Sequence, residues 1–171
     1  MKKLKFIGNP LLQSREKINM SSDKKWLTLK TTEDNEEFVV EESVAIMSNV
    51  IKNMVEDGCA SSVIPVPRVK GNAMGKIIEF CKKHTEESDE KVLKEFDAEF
   101  LNLGPDALYD LMVSANFLEI KVLLDSVTTK VADMIKGKSS EEIRNILKIE
   151  NDLSAEEIEE SRRENCWTRQ E

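Results

Sequence analysis

The chain has one histidine, His84, and three cysteines, Cys59, Cys81 and Cys166, with no C-x-x-C spacing among them. Tetrahedral zinc needs about four thiolate or imidazole ligands at close sequence spacing, so a metal centre is not expected. An odd number of distant thiols makes a poor disulfide framework and fits a reducing setting, cytoplasmic or nuclear. The six glycines are scattered, which leaves no loop to cradle a phosphate, and G-x-S-x-G and H-E-x-x-H are absent. His84 lies between lysines and an acidic stretch and reads as an exposed side chain with no nucleophile to serve. No catalytic residue, metal ligand or cofactor is therefore assigned. No apolar run approaches the roughly 20 residues of a membrane-spanning helix. Basic residues are outnumbered 25 to 33, for a formal charge of −8. That balance repels phosphate backbones, so neither nucleic acid nor membrane is expected as a partner.

What remains is a chain of 171 residues, 40% hydrophobic and 34% charged, enough for one domain with an appended subdomain. The opening MKKLKFIGNPLLQSREKIN carries five basic residues against one acidic. LKFIG is too short and interrupted for a secretory signal, so residues 1–24 are expected to be a disordered extension. Met20 is a second candidate start of translation.

WLTLKT (26–31) and EEFVVEE (36–42) are β-type runs joined by TEDN, a hairpin pattern. SVAIMSNVIKNMVEDG (43–58) spaces Val44, Met47, Ile51, Met54 and Val55 as one helix ending at Gly58. VIPVP (63–67) is extended, and its prolines confine it to a sheet edge or a strand end. GNAMGKIIEFCKKH (71–84) returns to helical spacing. TEESDEKVLKEFD (85–97) is charge-rich and reads as a solvated loop. The order β-β-α-β-α gives an α+β domain over 25–111, followed by a helical region over 112–171.

The helical region is the more informative. Pro105 suits the first turn of PDALYDLMVSANF. That helix has one stripe of Leu108, Leu111, Met112 and Ala115, and a second of Tyr109, Val113 and Phe117. A helix apolar on two sides is either buried in a core or shared between a core and a partner. The next helix places Ile120, Leu123, Leu124, Val127, Val131, Met134 and Ile135 within an arc roughly 120° wide. Gly137 stops it, and Ser139 with Glu142 forms a capping box for its successor. Ser154 and Glu157 form a second box, ahead of a helix whose large apolar residues are essentially Ile158 and then Trp167, an aromatic of the kind partner surfaces use.

MVEDGCA, IPVP, IIEFCKKH, SANFLEIKVLLD, VADMIKGKSSEEIR and RRENCW, spread from Lys25 to Trp167, resemble the S-phase kinase-associated adaptor family, the small linker subunit of SCF ubiquitin ligases, and most closely its plant-type members. The resemblance implies a BTB/POZ-type domain with a helical, F-box-binding extension. It implies a non-enzymatic adaptor, in nucleus and cytoplasm, that binds F-box proteins and the N-terminal region of a cullin, and through the cullin a RING subunit. The positions that match the cullin-contacting pair are Asn116 and Phe117. Those matching the F-box contacts are Leu124, Thr128, Val131, Ile135, Ile149 and Trp167. Departures from the family pattern are Phe117 for a tyrosine, Leu147 and Leu153 for aromatics, Phe96 for a tryptophan, and ENCW for ENQW. Two rivals stand beside this reading: a stabiliser of F-box proteins that engages no cullin, and an acidic hydrolase.

Overall fold

The computed structural model describes residues 4–5, 24–150 and 152–165. The chain forms two compact units, one reaching Met134 and the other beginning at Ile135.

In the first unit four strands, β1 (Leu4–Lys5), β2 (Trp26–Thr31), β3 (Glu37–Glu41) and β4 (Ile64–Val66), form a sheet in the order β1-β3-β2-β4. β2 and β3 are antiparallel, with Leu27 opposite Val40 and Leu29 opposite Phe38. All four side chains are buried, so a one-residue slip would turn them to the other face, and the pattern fixes the register. Asn35 closes the hairpin at φ +55, a left-handed conformation that asparagine tolerates. β4 runs parallel to β2 at the sheet edge, where Pro65 faces out and its missing N–H interrupts no ladder. Leu4 and Lys5, expected within a disordered extension, instead pair in parallel with Glu37 and Phe38. The remainder of that expectation falls outside the described residues.

Helices α1 (Glu42–Ala45), α2 (Asn49–Glu56), α3 (Gly71–Glu86), α4 (Glu90–Phe100), α5 (Pro105–Phe117) and α6 (Lys121–Ile135) follow the hairpin. One hydrophobic cluster joins Leu29, Phe38 and Ile64 of the sheet to Met74, Ile77 and Phe80 of α3, Leu108 and Leu111 of α5, and Leu123 and Val127 of α6. Each such side chain contributes about 1.5–3 kcal/mol by leaving water. Gly71, the first residue of α3, sits close under the hairpin turn: its amide donates to Asp34 Oδ2 at 2.6 Å, and a Cβ there would meet the Glu36 and Asp34 carboxylates, which would have to shift.

Three expectations for this unit need correction. The single helix expected over 43–58 is broken, because Ser48 takes an extended conformation and its hydroxyl caps α2 by accepting the Ile51 amide. The loop expected over 85–97 is largely helix α4. Asp89 caps it by accepting the Lys91 amide at 2.8 Å. Leu93, Phe96, Asp97 and Phe100 recur at helical spacing on its covered side, where Phe96 and Phe100 meet Phe80 with ring centroids 6.5 and 5.5 Å away. Nor is His84 exposed. Its ring stacks on Phe80 at 4.1 Å and its Nε2 lies 2.8 Å from Asp97 Oδ1.

The second unit holds α7 (Ser140–Leu147) and α8 (Ala155–Glu164). Gly137, at φ +71, supplies the left-handed turn that follows α6, as its position in the sequence predicts. Both capping boxes form: Ser139 with Glu142, and Ser154 with Glu157. In each, the serine amide bonding to the glutamate holds that carboxyl below its usual range.

Candidate functional site

No group of three or more His, Cys, Asp or Glu side chains among the described residues is arranged to hold a metal ion. Cys81 is buried, which pushes its thiol up to about 12 and keeps it in the unreactive protonated form. The features that stand out are apolar side chains left at the surface of helices.

α5 carries the first set. Pro105 opens it, and Leu108, Leu111, Ser114 and Ala115 bury one side. The second stripe goes the other way: Tyr109 is 62% exposed and Val113 38%. Asn116 is exposed and Phe117 half-buried in the last turn. The chain then reverses through a Schellman motif, in which the Ile120 amide donates to the Ala115 carbonyl at 3.0 Å and the Glu119 amide to Asn116 at 3.1 Å. Glu119 is left-handed at φ +52, where glycine is usual. The Asn-aromatic pair is thus presented at a fixed helix end beside exposed apolar residues.

α6 carries the second set. Ile120, Leu123 and Val127 are fully buried, whereas Leu124 and Val131 are half-buried against the same core. Thr128 is exposed, its hydroxyl donating to the Leu124 carbonyl at 2.8 Å. The stripe read from the sequence is therefore divided, with one edge in the core and the other open.

In the second unit neither helix has a fully buried side chain among the described residues. Ile135 is half-buried, while Leu147, Ile149 and Leu153 are exposed, Ile149 at 54%. Trp167 lies outside the described residues. Sequence reasoning missed Ser48, whose Oγ donates to the Leu118 carbonyl at 2.6 Å across 70 residues. A serine followed by an apolar helical run was the one local sign of it.

Two family models match: "Skp1 family, tetramerisation domain" over residues 25–86 and "Skp1 family, dimerisation domain" over residues 121–168. SKP1-like protein 1 of Oryza sativa subsp. japonica is 43% identical over 166 residues, covering 85% of this chain and 95% of its own length. SKP1-like protein 1A of Arabidopsis thaliana is 44% identical over 155 residues, covering 84% of this chain and 96% of its own. The chain belongs to the Skp1 family. The Skp1 tetramerisation segment runs from β2 to the end of α3, and the dimerisation segment takes in α6, α7 and α8. Skp1-family membership brings the BTB/POZ-type α+β fold and the adaptor role, a subunit of SCF ubiquitin ligases that links F-box proteins to a cullin.

Proposed function

We propose that the exposed flank of α5, ending in Asn116 and Phe117, meets the N-terminal region of a cullin, and that the F-box protein is taken by Leu124, Thr128 and Val131 on α6 and by Ile135, Ile149 and Trp167 beyond it. The observation that carries this is the exposure of Tyr109 on a helix whose opposite side is core. An aromatic left in water two turns before a polar asparagine on one helix has the make-up of an interface anchor. For the F-box side, the support is a C-terminal unit that leaves Leu147, Ile149 and Leu153 exposed.

On this reading the chain makes and breaks no bond. It holds an F-box-bound substrate near the RING subunit that the cullin carries, raising the effective concentration of substrate lysines there. It engages neither nucleic acid nor membrane and works in nucleus and cytoplasm. The test is reconstitution of the full chain with a cullin N-terminal region and an F-box protein. Co-elution of all three components is the expected result. Capture of the F-box protein without the cullin would assign the chain instead to stabilising F-box proteins.

A further inference from the structure

Ser48 stands at the break between α1 and α2 and is 2% exposed. Its hydroxyl works in both directions, accepting the Ile51 amide at 3.3 Å and donating to the Leu118 carbonyl at 2.6 Å. Leu118 is itself buried and is the C-cap of α5, the residue directly after Phe117. The Schellman motif at this corner occupies the carbonyls of Ala115 and Asn116. The Leu118 carbonyl lies beyond that motif, and Ser48 reaches across from another element to hold it.

We infer that Ser48 is a positioning residue for the cullin contact. By holding the Leu118 carbonyl it fixes the last turn of α5, and with it the direction in which Asn116 and Phe117 are presented. The inference rests on the reading that these two residues meet the cullin. Helix ends fray, and Glu119 holds a left-handed conformation that a glutamate does not adopt freely, so this corner needs an external tie. An end already ordered in the free protein spares the complex the entropy of ordering it. Leu124, Thr128 and Val131 lie one to three turns along α6, past the corner, so the influence of Ser48 on them is slight.

The side chain required is narrow in type. Alanine neither donates nor accepts. Threonine does both, and Ser48 already borders a small apolar cavity together with Ile51, Leu118 and Ile120.

The test uses the full chain, a cullin N-terminal region and an F-box protein. Ser48→Ala is expected to weaken cullin binding about tenfold and to leave F-box binding within about twofold, with Ser48→Thr restoring cullin affinity. In an Asn116→Ala, Phe117→Ala background, Ser48→Ala should cost nothing further toward the cullin, since it acts through those residues. Equal losses toward both partners, or full additivity with the double substitution, would mean that Ser48 serves only general stability and would overturn the inference. Hydrogen exchange at the Glu119 and Ile120 amides reads the corner without any partner, and should quicken in Ser48→Ala and recover in Ser48→Thr. Unchanged exchange overturns the anchoring itself, whereas unchanged cullin affinity in the Asn116→Ala, Phe117→Ala chain overturns the surface assignment, so the two failures are told apart.

Discussion

His84 Nε2 lies 2.8 Å from Asp97 Oδ1, with the two side chains only 11% and 22% exposed. The contact fastens α4 to α3 along the same seam on which Phe80, Phe96 and Phe100 meet. A segment with six acidic residues and two basic ones between Thr85 and Asp97 is thereby largely a structural helix, and shortening it removes core.

Phe100→Ala is therefore expected to destabilise the protein by about 3–5 kcal/mol, the usual cost of emptying a buried phenyl site. Asp97→Ala, which takes away the His84 partner, should cost about 1 kcal/mol. Urea unfolding monitored by circular dichroism measures both. Values near zero would return 85–97 to the status of a dispensable loop.

Asn116→Ala combined with Phe117→Ala should reduce cullin affinity about thirtyfold, since an aromatic anchor at an interface centre commonly contributes about 2 kcal/mol. Binding of an F-box peptide should persist. Loss of both partners together with a lowered melting temperature would assign the pair to the core.

α8 has both hydrogen bonds of its capping box, yet among its described side chains only Ile158 is even half-buried. One aliphatic does not offset about 1–2 kcal/mol of backbone entropy per ordered residue. Amides across 155–164 should exchange rapidly in the free protein and slow markedly when an F-box peptide is added. Trp167→Ala should weaken that binding by about 2 kcal/mol, with cullin affinity unchanged. Strong protection without the peptide would show instead that this helix belongs to the protein's own fold.

The Asp34 carboxylate accepts from the Thr31 hydroxyl and the Gly71 amide. The Thr31 bond foremost, with Gly71 adding to it, holds its pKa below the usual 3.8. A folded-state value below the unfolded one gives stability that is present above pH 3.8 and fades as pH falls through the folded value. Asp34→Asn should thus lower the urea midpoint at pH 7 and do so progressively less below pH 4. A deficit that stays constant down to pH 2 would show that the charge is not what matters.

The hairpin, the edge strand at Pro65, both bounds of α5, the glycine stop at Gly137 and both capping boxes were legible from residue order. Each rests on an alternation, a ring constraint or a hydrogen bond closed within about four residues, so the neighbours that form it are written side by side. The family motifs likewise nominated Asn116 and Phe117, but not that Tyr109 and Val113 beside them face outward. Periodicity finds two apolar sides without saying which one the core covers. Only the tertiary structure decided that, and it also decided three features that residue order hides. α4 is a helix because Phe80 waits on another element to receive Phe96 and Phe100. α1 and α2 are separate because Ser48 finds an acceptor 70 residues away. Gly71 packs closely because two carboxylates of the hairpin turn lie over it. In each case the deciding partner is distant in sequence, and a contact of that kind exists only once the chain has folded around it.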